Sequence, residues 1–165
     1  MMRFLLPILL VLVAGCGPKT SSSVKIHDVK QGLARESNGE WTIYEEGNNL
    51  THRVNGECVA DGTTVPCMWY AVAFEYEANG DVTPLACKAK FSEPTDVLTP
   101  KETVARQATE SSGTMELRGR SGKMVLPGYS IADGNTTPST TTIDCTLNGK
   151  SVLNYSMTIT EKRAR

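Results

Sequence analysis

The stretch MWYAVAFEYEANGDVTPLACKAKF, Met68 to Phe91, alternates apolar and polar side chains on both sides of an Asn79-Gly80 pair. Alternation with period two marks a half-buried strand, and Asn-Gly is the strongest short signal for a two-residue hairpin turn. Closing the turn at Asn79 and Gly80 sets Tyr76 opposite Thr83, Phe74 opposite Leu85, Val72 opposite Cys87, Tyr70 opposite Ala89 and Met68 opposite Phe91. Both strands then share one apolar face, whereas a slip of one residue would set Phe74 against Pro84 and split the apolar sets. The other face pairs Glu75 with Pro84, Ala71 with Lys88 and Trp69 with Lys90, a mixed and partly wet surface. This reading places the Cys87 sulfur in the core and Trp69 beside Lys90 outside.

The same punctuation recurs at Asn38-Gly39, Asn55-Gly56, Asp61-Gly62, Asp133-Gly134 and Asn148-Gly149, with short runs rich in Val, Ile, Thr, Tyr and Phe between. The pattern predicts an all-β antiparallel fold. At Asn148-Gly149 a two-residue turn would oppose Cys145 to Val152 and put Leu153, Tyr155, Met157 and Ile159 against the polar side of their partner. A three-residue loop from Leu147 to Gly149 pairs Ile143 with Leu153 and Thr141 with Tyr155, turning Cys145 inward. One segment departs from strand patterning: Thr99-Pro100-Lys101-Glu102 has capping-box spacing with proline at the first helical position. A short helix near 100–110 is expected there, with a polar loop as the alternative.

The chain has 165 residues, 17 Lys and Arg against 18 Asp and Glu, and five cysteines. That length suits one domain, and a formal charge of −1 argues against a nucleic-acid binder, which needs a basic excess to neutralise phosphates. The first residues read Met1-Met2-Arg3, then an apolar run from Phe4 to Val13 broken only by Pro7, then Ala14-Gly15-Cys16. The run is about half of the ~20 residues a spanning helix needs, so it reads as a secretory h-region behind a positive n-region. Leu12-Val13-Ala14-Gly15-Cys16 resembles the lipobox of bacterial lipoproteins. An ordinary secretory cleavage after Gly15 is the alternative. The resemblance implies cleavage after residue 15, acylation of Cys16 and, with Gly17 rather than Asp following, the outer membrane; the periplasmic face is expected, with the outer face left open. Residues 1–15 are then a signal peptide, 16–23 a lipidated cysteine with a Pro- and Ser-rich tether, and 24–165 a single domain.

Setting Cys16 aside leaves Cys58, Cys67, Cys87 and Cys145, an even number in a chain sent to an oxidising compartment. Four cysteines allow three pairings. The favoured one joins Cys58 to Cys67 around a short loop and Cys87 to Cys145 between distant strands. Two inward cysteines of that separation resemble the inter-sheet bridge of immunoglobulin-like sandwiches, although no tryptophan follows Cys87 at the expected place. The fold reading is a β-sandwich of immunoglobulin-like or Greek-key type, with a small β-barrel as the alternative.

No catalytic constellation is expected. There is no G-x-S-x-G elbow, and Gly119-Arg120-Ser121-Gly122-Lys123 is too short for a phosphate loop. His27 and His52 are isolated, no C-x-x-C occurs, and no calcium loop is written, so neither metal nor cofactor is expected. Glu75 and Glu77 share a strand face about 7 Å apart, close to a glycosidase pair, but i, i+2 acids on a wet strand are common. Asn49, Asn135 and Asn154 open glycosylation triplets that a bacterial lipoprotein has no reason to use. Basic groups gather at Arg118, Arg120 and Lys123, and again at Lys162, Arg163 and Arg165. The expectation is a non-enzymatic lipoprotein anchored in the outer membrane, binding another envelope protein or an envelope polymer through Trp69 with Lys90 and through Arg118, Arg120 and Lys123. The alternative is an inhibitor protecting against an envelope-attacking hydrolase, with the Cys58 to Cys67 loop inserted into its cleft.

Overall fold

The computed structural model describes residues 23–98, 101–134 and 136–161. The signal segment, Cys16 and its tether up to residue 22, Thr99-Pro100, and Lys162, Arg163 and Arg165 lie outside the described residues.

Strand β5 (Thr63–Ala78) is the spine of one sheet. On one edge it pairs antiparallel with β1 (Val24–Ser37) and then β4 (Gly56–Ala60), on the other with β8 (Ser121–Ser130), and β1 carries β2 (Glu40–Glu46) on its far side. The second sheet runs β3-β10-β9-β6-β7, built from β3 (Asn49–Thr51), β6 (Val82–Leu98), β7 (Thr103–Arg118), β9 (Ser139–Leu147) and β10 (Lys150–Thr160). The two sheets form an all-β sandwich. This is the expected sandwich and not the alternative barrel, because no strand pair hydrogen-bonds one sheet to the other among the described residues.

The core lies between the inward residues of both sheets: Leu33, Met68, Val72, Phe74 and Tyr76 from the first, Leu85, Leu117, Cys145, Leu153 and Met157 from the second. These are the residues that alternation selects. Their partners differ from the expected ones: β5 and β6 are not a hairpin. The chain crosses at Asn79-Gly80-Asp81 from one sheet to the other, so Phe74 and Leu85 belong to opposing faces of the sandwich and β6 pairs with β7 and β9. Side-chain parity is the same for a hairpin and for such an arch; only the direction of the backbone hydrogen bonds distinguishes them. Here the crossing is held by a second one beside it, the β7–β8 connection. Ala78 N–H donates to Arg120 O (2.7 Å), Gly119 N–H donates to Asp81 O (2.7 Å) and the Tyr76 hydroxyl donates to Arg118 O (2.5 Å).

Three further expectations are corrected. Residues 103–118 are strand β7, not a helix, since Thr103, Thr109 and Ser111-Ser112-Gly113-Thr114 favour extended backbone and β6 supplies its ladder from Val82 to Leu98. The β9–β10 hairpin closes as a two-residue turn with positive φ at Asn148 and Gly149, and a bulge between Ser151 and Leu153 resets the parity. Cys145 does face inward, but opposite Leu153, and Ile143 meets Tyr155, two residues from the expected register. The Cys87–Cys145 bridge is not inter-sheet. The two cysteines are direct partners on neighbouring strands β6 and β9, Cα atoms 4.0 Å apart. Cys58 and Cys67 are bridged within the β4–β5 hairpin.

Candidate binding surface

The outward face of β5 changes character along its length. Glu75 and Glu77 are exposed, whereas Ala71 is 0% and Ala73 6% exposed although both point away from the core. What covers them is the protein's own β1–β2 hairpin. The register of β1 breaks between Leu33 and Ala34, β1 parts from β5 after Tyr70, and β2 comes to lie against β5 and β8. Gly32 permits this close pass: a Cβ there would sit 2.0 Å from Glu45 O. Ala34 (0% exposed) and half-buried Ile43, paired across the hairpin, join a second, smaller apolar layer on this face.

Three aromatic rings finish that layer at the surface. Trp41 of β2 packs on Trp69 of β5 with centroids 4.6 Å apart, and Trp69 meets Tyr129 of β8 edge-on at 5.3 Å. All three are half-buried, so each offers part of its ring to solvent. Trp69 and Tyr129 have their polar atoms paired. Trp69 Nε1–H donates to Glu57 O (3.0 Å) and the Tyr129 hydroxyl donates to Val59 O (3.3 Å), where burial pushes its ionisation up. Gly56 opens the slot for the indole, since a Cβ there would stand 2.8 Å from Trp69 Cδ1. The backbone of Trp69 is fixed by Asn55, which acts as a strand residue where β1 has left and β4 has yet to begin. Its Oδ1 accepts from Trp69 N–H (2.6 Å), and its amide lies within donating reach of Trp69 O (3.0 Å), Ala34 O (3.3 Å) and the Tyr44 hydroxyl (3.0 Å). The result is a preorganised aromatic cluster flanked by the bridged Cys58–Cys67 hairpin.

Of the two patches expected from sequence, the pairing of Trp69 with Lys90 does not form, and the Arg118, Arg120 and Lys123 group lies apart from the cluster. Lys90 is on the other sheet, opposite Glu110 and Thr142, because β5 and β6 are not partners. Its neighbour Lys88 holds Glu110 at 2.8 Å, and that hydrogen bond lowers the Glu110 ionisation. Arg118 pairs with Glu116 (3.1 Å) and Arg120 with Asp81 (3.5 Å) at the arch end of the sandwich, while Lys123 stands on β8 opposite Glu75. The cluster's other two rings, Trp41 and Tyr129, escaped sequence reasoning. The available signal was Trp41-Thr42-Ile43 alternation after Asn38-Gly39, together with two alanines where β5 should have presented polar side chains. His52 Nε2 lies 3.1 Å from Ser130 O, and His27 is the cross-strand partner of Glu75.

No protein-family model matches the chain, and no curated protein is similar to it at a significant level. Among solved structures, an immunoglobulin-like protein from Pseudomonas aeruginosa is similar with TM-score 0.45 and 11% identity, covering 85% of this chain and 98% of that one. The N-terminal domain of PorA aligns with TM-score 0.28 and 13% identity, over 81% and 97% of the two chains. No helix among the described residues is long and apolar enough to cross a membrane.

Proposed function

We propose that the protein is a non-enzymatic lipoprotein of the outer membrane, anchored through Cys16, whose sandwich binds another component of the cell envelope through Trp41, Trp69 and Tyr129. The observation that carries the reading is the cluster itself: three aromatic rings packed together at the surface, with the polar atoms of Trp69 and Tyr129 already satisfied. Half-exposed tryptophan and tyrosine on a rigid support are what the energetic centre of an interface is made of. The lipobox supplies the anchor. Ser23 exchanges hydrogen bonds with Asn79, so the tether leaves from the arch end of the sandwich. The six residues between Cys16 and Ser23 reach at most about 25 Å. Trp69 lies nine residues up β5 from Ala78, roughly 30 Å from that end at strand rise. The cluster thus stands at the end of the sandwich opposite the tether, where on this reading a partner in the periplasmic space can reach it.

A second reading, protection against an envelope-attacking hydrolase, draws on the Cys58–Cys67 hairpin, whose Asp61-Gly62 tip is exposed and whose strands are bridged. The test is capture of envelope components on the purified full chain after crosslinking, compared with Trp41→Ala, Trp69→Ala and an Arg118→Ala/Arg120→Ala control. Loss of the captured component in both tryptophan variants, by the 30-fold or so that a 2 kcal/mol hot spot represents, supports the cluster. Equal capture by folded tryptophan variants overturns it. Inhibition of a lytic enzyme, abolished by altering the 61–62 tip, would favour the second reading.

A further inference from the structure

We propose that His27, Asp28 and Glu75 form a site for a divalent transition-metal ion such as Zn²⁺, separate from the aromatic cluster. His27 on β1 and Glu75 on β5 are direct partners across the antiparallel pair, both directed outward. Strand alternation would send the next residue, Asp28, to the opposite side. It does not go there: the β1–β5 register breaks between His27 and Lys30, and Asp28 takes a left-handed backbone with φ 51°. Its carboxylate returns to the same face, with Oδ2 2.9 Å from His27 Nδ1. One donor atom from each of the three residues then lies within 4.8 Å of the others.

A tetrahedral ion with ligand bonds of about 2.1 Å holds its donors about 3.4 Å apart, so side-chain rotation of roughly an ångström completes the set. The imidazole is the discriminating ligand: one nitrogen with two carboxylate oxygens suits Zn²⁺, Ni²⁺ or Cu²⁺ better than Mg²⁺ or Ca²⁺, which prefer oxygen throughout. Three protein ligands leave a fourth position for water or for a donor atom of a bound molecule. The charged groups nearby are Lys25, Glu77 and Lys123, with Lys123 opposite Glu75 on β8, while Lys30 is turned away to Glu46 at 2.7 Å. The four disulfide cysteines offer no thiolate to compete.

The test is calorimetric titration of ZnCl₂ into the EDTA-stripped, dialysed full chain in detergent at pH 7.5, without an affinity tag. One saturating site is expected, weakened at least tenfold in His27→Ala and in Glu75→Gln and unchanged in His52→Ala and Glu77→Gln. A second measurement needs no variant: Zn²⁺ should shift the imidazole ¹⁵N resonances of His27 and leave those of His52. Absence of saturable binding up to millimolar Zn²⁺, binding retained in the His27→Ala/Glu75→Gln double variant, or a shift confined to His52 would each overturn the site.

Discussion

Replacing Asn55 by alanine removes the group that substitutes for a missing strand beside Trp69. The Trp69 N–H loses its acceptor at 2.6 Å, and Trp69 O and Ala34 O lose the shared amide donor. β1 has already diverged at this point and β4 pairs only as far as Cys67, so no other strand backbone replaces the lost partners. Leaving a part-buried backbone group unpaired costs about 1–3 kcal/mol, and two groups of Trp69 are affected, so Asn55→Ala should destabilise by roughly 2–6 kcal/mol. For a domain of this size that is a fall in Tm of about 4–24 °C. Asn55→Asp separates the two halves of the argument. It keeps the acceptor for Trp69 N–H but turns a carboxylate oxygen toward Trp69 O and Ala34 O, so it should be destabilising too. Asn55→Asp should recover part of its stability as the pH falls and the new carboxyl gains a proton to donate. The assay is urea unfolding at pH 7.5 and pH 4.5, followed by tryptophan fluorescence and by far-ultraviolet circular dichroism. A loss below 0.5 kcal/mol for Asn55→Ala, or an Asn55→Asp variant as stable as the parent at pH 7.5, would refute the reasoning.

Two further outcomes are expected. In the chain-entropy account, the Cys87–Cys145 bridge, with a sequence separation of 58, restrains the unfolded chain by about 4 kcal/mol and the Cys58–Cys67 bridge, with a separation of 9, by about 2.5 kcal/mol. Replacing each pair by alanines should lower Tm more for the longer loop, and the reverse order in calorimetry would count against it. Burial pushes the Tyr70 and Tyr155 hydroxyls above the ordinary tyrosine range, each further raised by a neighbouring phenol. Their contribution to stability is therefore intact below the unfolded value of about 10 and is lost as pH rises through the higher folded values. Urea midpoints should fall between pH 10 and 12, less so in Tyr155→Phe, and an equal fall in both proteins would remove these residues as the cause.

Which side chains point inward was legible from Met68–Phe91: Val72, Phe74, Tyr76, Thr83 and Leu85, on the side alternation selects, are all buried. What they face was not. Asn79-Gly80 is equally able to reverse a hairpin and to carry the chain between layers, and the deciding contacts, Ala78 to Arg120 and Tyr76 to Arg118, come from residues some forty positions away. At Asn148-Gly149 the inward side of Cys145 was legible because one parity alone buries Leu153 and Met157, but a loop residue and a bulge residue satisfy that parity equally. The capping signal at Thr99 to Glu102 predicts a helix over residues that follow it, and from Thr103 onward the β6 ladder overrides that prediction. Trp69 was legible as an outward aromatic, while its companions depend on how β2 folds over, which no local spacing encodes.

Both surface features trace to the two places where β1 abandons strict alternation. The irregularity after His27 returns Asp28 to the face where Glu75 stands, putting three donor groups together that alternation would separate. The break between Leu33 and Ala34 bends the strand's end off β5, which lets β2 cover Ala71 and Ala73 and bring Trp41 onto Trp69. An unbroken β1 would keep pairing beyond Leu33, occupy the backbone of Trp69 that Asn55 now serves, and hold β2 in the plane of the sheet. Bulges re-aim side chains at the cost of ladder hydrogen bonds. In this chain the lost ladder bonds are partly restored by Asn55, and the re-aimed side chains are the ones that carry the proposed binding chemistry.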